Sequence, residues 1–409
     1  MTLGSLIAPA VSSHDRRVVM GVLGVTQILA WGSSYYLPAV LAEPISRDTN
    51  WPLTWVVGGL SLGLLVAALV SPRVGATIER HGGRLVLAFS AAAIGIGQIG
   101  LAIAPNLATY IIAWLVIGVG MGAGLYDAAF ATLGRLYGRD ARGAITTLTL
   151  FGGFASTVCW PLSAFMVSEF GWRGACLVYA AIQLAIALPL YLLVIPHAVP
   201  AQVMLSENAH AAQAPIAAKP PLLLLVTLAV TLTLAAALSS LMSVHLLTIL
   251  RASGITLAAA VGLGALVGPS QVAARTVEMA IARYHHPVWT KIASVSFVAI
   301  GVSALWAGLP LIPAALAFYG AGIGLESIAR GTLPLALFGA SGYATLMGRL
   351  AMPSLLAQAA APWVGAMLLD RIGAHGTLAV VADGAALNVA LSGALAWMIS
   401  RGFQKTSAR

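Results

Sequence analysis

Apolar residues run through this chain in long blocks, and polar positions fall mostly between the blocks. Crossing the hydrocarbon of a bilayer takes about 20 residues of apolar helix. Twelve runs reach that length, at 18–42, 53–72, 85–104, 108–134, 143–167, 174–195, 222–249, 256–282, 288–308, 311–337, 345–369 and 377–400. Inside a bilayer no water satisfies backbone N–H and C=O groups, so each run is predicted to be a helix and the fold class all-α. Residues 196–221, rich in Ala, Pro and polar side chains, interrupt the pattern after six runs and read as a cytoplasmic linker. The predicted organisation is twelve transmembrane helices in two pseudo-symmetric six-helix bundles, 1–195 and 222–409, on either side of the linker. Ser13-His14-Asp15-Arg16-Arg17 precedes span one with the charge of a signal sequence but no obvious cleavage site, so span one is expected to stay as an anchor.

The two bundles read as copies. Gly120-Met121-Gly122-Ala123-Gly124-Leu125 in span four returns as Gly320-Ala321-Gly322-Ile323-Gly324-Leu325 in span ten, and Thr132-Leu133 returns in step as Thr332-Leu333. The glycines lack the preceding strand and polar turn of a dinucleotide-binding loop, and close helix packing through small residues explains them better.

Composition confirms the membrane reading: 60% of the 409 residues are hydrophobic and 8% charged, with a mean hydropathy of +0.94. The net charge of +9 is mostly a topology signal. With both termini inside, the cytoplasmic segments hold Arg16, Arg17, Arg73, Arg80, Arg84, Arg135, Arg139, Arg142, Lys219, Arg283, Lys291, Arg349, Arg401, Lys405 and Arg409; the outer loops hold only Arg47, Arg173, Arg251 and Arg371. That asymmetry accounts for the basic balance without a nucleic-acid partner. Cys159 and Cys176 show no metal-ligand spacing, and His285-His286 reads as a loop pair, so no metal and no cofactor is expected.

Between spans two and three stands Gly75-Ala76-Thr77-Ile78-Glu79-Arg80-His81-Gly82-Gly83-Arg84. This stretch resembles the loop signature of the major facilitator superfamily: a glycine, an acid–arginine pair four residues on, then glycine and arginine at the end of the turn. The family usually has aspartate where Glu79 stands, and the corresponding loop of the second half, Ala282-Arg283-Tyr284-His285-His286, has lost the pattern. Gly82 and Gly83 permit a tight reversal, and Glu79 is expected to pair with arginines at neighbouring helix ends, latching the cytoplasmic face; a plain positive loop is the alternative. The resemblance covers the whole chain in span count, linker and repeat. It implies two rocking halves around a mid-membrane cavity, a monomer, and a multi-pass protein of a bacterial inner membrane with both termini cytoplasmic. Arg139-Asp140-Ala141-Arg142-Gly143 and Gly171-Trp172-Arg173 further resemble the bacterial branch related to monocarboxylate and oxalate/formate carriers.

An ionisable side chain in mid-membrane costs several kcal/mol unless buried and paired, so the few present mark function. Asp127 in span four has no base within a turn of its own helix and is the first candidate for a proton-coupling acid; a structural pair with Arg135 or Arg142 is the alternative. In span ten Glu326 and Arg330, at i and i+4, either neutralise each other or divide the work, Arg330 holding a substrate carboxylate and Glu326 a proton. In span eight Gln271 and Arg275 are candidates for substrate binding and Glu278 for proton coupling. The carrier resemblance implies Arg275 as the anion's counter-charge, against a plain Arg275–Glu278 helix-end pair. Trp31, Tyr35 and Tyr36 in span one are too central for an interface belt and are expected to line the cavity. His245 is either an outer gate or a satisfied interface histidine. Trp160-Pro161 and Pro362-Trp363 lie at matching places and suggest kinks.

No nucleophile, metal constellation or soluble domain supports an enzyme, and no nucleotide motif supplies another energy source. The expected function is secondary active transport of a small, monocarboxylate-like organic anion, coupled to protons, with lipid as the surrounding partner. The alternative is an efflux carrier for amphipathic drugs or metabolites in which the charges are structural.

Overall fold

A computed structural model describes residues 13–197 and 222–407. Most of the expected linker, with Lys219, and the terminal Arg409 lie outside the described residues. Spans two (Leu53–His81), three (Arg84–Ala102), seven (Leu222–Ala252), nine (Pro287–Trp306) and ten (Ile312–Phe338) are single helices. Spans five and six share the stretch Ala141–Val194, and spans eleven and twelve share Tyr343–Arg401. Each pair doubles back at a glycine in the left-handed region, Gly171 at φ 68° and Gly373 at φ 68°, where a Cβ would be strained.

Several spans are broken, span five briefly at Phe154. Span one stops at Gly32 and resumes at Pro38, span four stops at Gly124 and resumes at Tyr126, and span eight runs as Leu257–Gly264 and then Val267–Ile281. Carbonyls freed by a break inside a bilayer need partners from protein; buried glutamines supply two of them and hold a serine hydroxyl beside the break in span one. Gln27 Nε2 donates to the Gly124 carbonyl at 2.6 Å, Gln98 Nε2 to the Ser33 carbonyl, and Gln183 Nε2 to Ser33 Oγ at 2.8 Å. All three side chains are buried.

The glycine stripes pack helices as expected, in a register that the sequence match misplaces. A Cβ on Gly118 would lie 2.4 Å from the Gly63 carbonyl, and one on Gly122 2.9 Å from the Ala67 carbonyl, so both face span two; Gly120 faces Ser90 of span three. In the second half Gly320 and Gly324 face the Val267 and Gln271 carbonyls of span eight, while Gly322 faces Ser294 of span nine. Packing therefore equates Gly118 with Gly320, Gly120 with Gly322 and Gly122 with Gly324, two residues beyond the spacing of the sequence repeat. Gly171 and Gly373 keep that same spacing.

The described chain begins and ends on one face of the bundle, the terminal face. Among the described residues, every hydrogen bond and ion pair between the halves lies in the half of the bundle toward that face. The closest crossing is span two against span eleven, where a Cβ on Gly75 would sit 2.4 Å from the Ala344 carbonyl and one on Gly348 2.4 Å from the Ser71 carbonyl. The halves are closed together at the terminal face.

Candidate functional site

The break in span one gathers its aromatic residues. Trp31 stands 5.2 Å from Tyr35 and 5.9 Å from Tyr36, centroid to centroid, and 5.0 Å from Tyr126 at the break in span four. Tyr36 reaches Trp160 of span five at 6.1 Å, and Tyr126 stacks on Phe130 with ring planes 10° apart. These rings, all from the first six spans, form one continuous wall. Trp31 Nε1 is buried and has no hydrogen-bond partner among the described residues.

Arg275 meets the foot of this wall from span eight. Its side chain is 4% exposed, and its hydrogen bonds all go to uncharged oxygens: Nη1 to the Thr149 carbonyl at 2.9 Å, Nε to the Gly324 carbonyl at 3.2 Å, and Nη2 to Gln271 Oε1 at 3.2 Å. Tyr126 Oη donates to the same Thr149 carbonyl at 3.4 Å, placing a phenol beside the guanidinium. Two glycines make the room. A Cβ on Gly153 would lie 2.3 Å from Arg275 Nη1, and one on Gly152 1.9 Å from Tyr126 Oη. Among the described residues no carboxylate lies within salt-bridge distance of Arg275.

The other candidate charges, Asp127, Glu278, Glu326 and Arg330, are paired, and not within their own helices. Asp127 makes a bidentate ion pair with Arg330, 2.8 Å on each side, joining span four of one half to span ten of the other. Glu326 turns to Lys291 instead of Arg330: Lys291 Nζ lies 2.5 Å from Glu326 Oε1, and Ser294 donates to Glu326 Oε2 at 2.8 Å. Lys291, expected among the cytoplasmic cations, is fully buried one turn inside span nine. A lysine near a helix end can snorkel outward or turn inward, and composition does not separate the two. Glu278 likewise leaves Arg275, accepting from Thr290 at 2.7 Å and lying 3.4 Å from His285 Nε2. Asp127 with Arg330 and Arg275 with Thr149 are brought together across the halves, whereas Glu326, Lys291 and Glu278 find partners within the second half.

At the terminal face Glu79 is half-buried and caps the start of span eleven, accepting from the Ala344 N–H at 3.0 Å and the Gly342 N–H at 3.3 Å. The expected arginine partner is thus replaced by helix N–H groups, whose partial positive charge serves the same end. Of the two glycines of the turn only Gly82 needs its freedom, at φ 82°; Gly83 is small because Thr132 Oγ1 would lie 1.9 Å from its Cβ. Arg80 is exposed, and Arg84 bonds His197 at 2.8 Å. Across the face Arg142 donates to the His285 carbonyl at 2.9 Å. Burial, then nearby Arg142 and His285, hold the His286 imidazole below its ordinary pKa, so it stays neutral and caps span nine through Val288 N–H. His245 bonds the Pro362 carbonyl at 2.8 Å as a satisfied histidine.

A small cavity lies inside the second half between spans seven, nine, ten and twelve, bordered by Ser239, Ser294, Glu326 and Asn388. Sequence reasoning missed Lys291, the glutamines at the breaks and Asn388. The glutamines were detectable as amides inside otherwise apolar runs.

The Major Facilitator Superfamily model matches residues 22–278. An uncharacterized 38 kDa protein of Thermoproteus tenax is 33% identical over 169 residues, 41% of this chain and 44% of that protein. Human monocarboxylate transporter 14 is 31% identical over 162 residues, 38% and 31% of the two chains. These matches span less than half the length of either relative. Among solved structures the human organic anion transporter MFSD10 superposes with a TM-score of 0.73 at 18% identity, covering 93% of this chain and all of that one. The family model covers more than half of the chain, and the chain belongs to the Major Facilitator Superfamily.

Proposed function

We propose that this chain is a secondary active transporter that moves a small, monocarboxylate-like organic anion by alternating access, driven by protons. The observation that carries the reading is Arg275: a buried guanidinium with neutral acceptors only, at the foot of an aromatic wall where the two halves meet. Leaving a buried cation without a counter-charge is costly, and a bound carboxylate would supply one. Monocarboxylate transporter 14 among the relatives fits this reading. In it the halves, 1–195 and 222–409, rock as units about the linker 196–221. The terminal face is cytoplasmic in a bacterial inner membrane, and the monomer is the working unit.

The same bonds couple the ligands to the rocking. Arg275 reaches across to the Thr149 carbonyl, so a carboxylate that draws off the guanidinium loosens one link between the halves. Protonating Asp127 dissolves the ion pair with Arg330, and the buried Arg330 then regains hydration only if the terminal face opens. Substrate and proton thus weaken one closure together. Glu326 and Glu278, held by Lys291 and by His285 and Thr290, bind within the second half and keep its helices in place.

The test is transport by purified protein in proteoliposomes under an imposed pH gradient, with a panel of mono- and dicarboxylates. Arg275→Ala is expected to lower carboxylate uptake at least ~100-fold, the loss of about 3 kcal/mol of charge-assisted bonding. Asp127→Asn is expected to abolish proton-driven accumulation while sparing exchange. Wild-type uptake by Arg275→Ala, with neutral lipophilic compounds competing, would sink the anion reading and leave the efflux alternative.

A further inference from the structure

Resting on the anion reading above, we infer that the preferred substrate is an aryl carboxylate: a flat aromatic ring carrying one carboxylate, in preference to a short aliphatic or hydroxylated acid. The positive end of the site is fixed by Arg275. What surrounds it decides the rest of the ligand.

Outward from the guanidinium, the first half offers Tyr126 beside the shared Thr149 carbonyl, then Trp31 at 5.0 Å from Tyr126, then Tyr36 and Tyr35 within 6 Å of Trp31, and Trp160 beyond Tyr36. Ring faces therefore succeed one another away from the charge at the spacings of stacked and edge-to-face pairs, which is the contact geometry a further aromatic ring would join. A hydroxy acid or a dicarboxylate needs donors or a second cation at that distance. Arg330 is engaged by both oxygens of Asp127, and Lys291 is sealed against Glu326, so neither membrane cation is open to a second carboxylate. Trp31 Nε1 is the independent sign of a ligand. It is a buried donor with no acceptor in the described protein, in the middle of the ring wall.

The charge arrangement sets the polarity of the ligand. A cationic aromatic compound would meet Arg275, and a neutral one would leave the guanidinium without a counter-charge. The ring supplies contact area and the carboxylate supplies neutralisation, and the wall and the arginine together require both on one molecule.

The experiment is inhibition of counterflow in proteoliposomes, using labelled benzoate as tracer and unlabelled benzoate, acetate, lactate and benzyl alcohol as competitors. Half-inhibition by benzoate is expected at a concentration at least ~10-fold below acetate or lactate, the size of one or two aromatic contacts. Benzyl alcohol, which has the ring without the charge, is expected to compete least. Trp31→Leu should narrow the benzoate-to-acetate ratio toward one; Tyr36→Leu gives the same reading if that variant does not reach the membrane. Equal inhibition by acetate and benzoate, with transport intact, overturns the aryl preference and leaves the anion carrier standing. Benzyl alcohol matching benzoate, with Arg275→Ala unaffected, instead removes the anion reading on which the preference rests.

Discussion

Aligned through their glycine packing, the two halves place different chemistry at equivalent depths. Gly124 of span four sits against Ser90; the matching position of span ten is Glu326, whose carboxylate accepts from Ser294. Ser71, one turn beyond Ala67 of span two, matches Arg275, one turn beyond Gln271 of span eight; Leu87 matches Lys291. Conversely the rings that make up the wall, Trp31, Tyr35, Tyr36, Tyr126 and Trp160, all belong to the first half. One scaffold thus carries the ring wall in one half and most of the buried charge in the other, and among the described residues the ion pair that crosses the division is Asp127 with Arg330. Duplication fixes where helices lie, while the small residues that let them approach leave the neighbouring positions free to diverge.

The comparison breaks first at its most costly element. Lys291→Met leaves Glu326 buried beside a thioether and is expected to destabilise the protein by about 3–5 kcal/mol, as does removal of either partner of a buried pair. Leu87→Met, the same side chain at the matching position of the first half, is a volume-conserving change expected to cost less than ~1.5 kcal/mol. Thermal unfolding in detergent should separate the two variants clearly, and adding Glu326→Gln to Lys291→Met should recover most of the loss. Equal melting temperatures for the two single variants would mean that Lys291 is hydrated and that the halves are not divided as described.

The ion pair between the halves comes next. Arg330→Met should abolish transport, leaving Asp127 without its counter-charge. The exchange Asp127→Arg with Arg330→Asp should restore a measurable part of it, because the bidentate geometry is roughly reciprocal. No recovery in the exchanged protein, when it is folded and inserted, would show that the direction of the pair matters and that each residue has a further partner.

Much of this division was legible in the sequence and some was not, for physical reasons. Twelve spans, the glycine stripes and the isolation of Asp127 follow from periodicity and the cost of burying charge. The register of the repeat did not follow. A stripe of glycines at every second position, 118 to 124, still matches 320 to 324 when slid by two residues, so identity cannot choose between registers that packing separates. Pairing was equally hidden: Asp127 and Arg330 are 203 residues apart, and Arg330 has an acid four residues away on its own helix that it does not use. Lys291 was hidden by its place near the end of a span, where an inward and an outward lysine have the same neighbours in sequence.

A smaller effect tests the closure itself. Gly75 crosses Gly348 with no room for a side chain, the Cβ-to-carbonyl distance being 2.4 Å to backbone that cannot swing aside. Gly75→Val should weaken the terminal-face closure by about 1–3 kcal/mol, as overpacking does in tight interiors. Spin labels at the terminal ends of spans two and eleven should then report a longer separation. Gly58, with nothing near its Cβ, is the control on the same helix.

The finest test concerns how the two faces of the closure differ. Glu79 holds span eleven through two backbone N–H groups of its first turn, whereas the corresponding loop of the second half holds the first through Arg142 and the His285 carbonyl. One link is a carboxylate on a helix dipole, the other a guanidinium on a single carbonyl. Glu79→Gln keeps one of the two acceptor oxygens and removes the charge, so the loss should be the charge–dipole part together with one weak N–H acceptor, about 0.5–1 kcal/mol at a half-buried site. That shifts a two-state equilibrium by roughly two- to fivefold. The measurement is the labelling rate of a cysteine placed at the Ser71–Gly348 crossing, in a background with Cys159 and Cys176 replaced: a two- to fivefold rise is expected for Glu79→Gln and a much larger one for Glu79→Lys. If Glu79→Gln labels at the original rate while Glu79→Ala labels faster, the carboxylate acts only as a hydrogen-bond acceptor, and the charge usual at this position contributes nothing to closure in this chain.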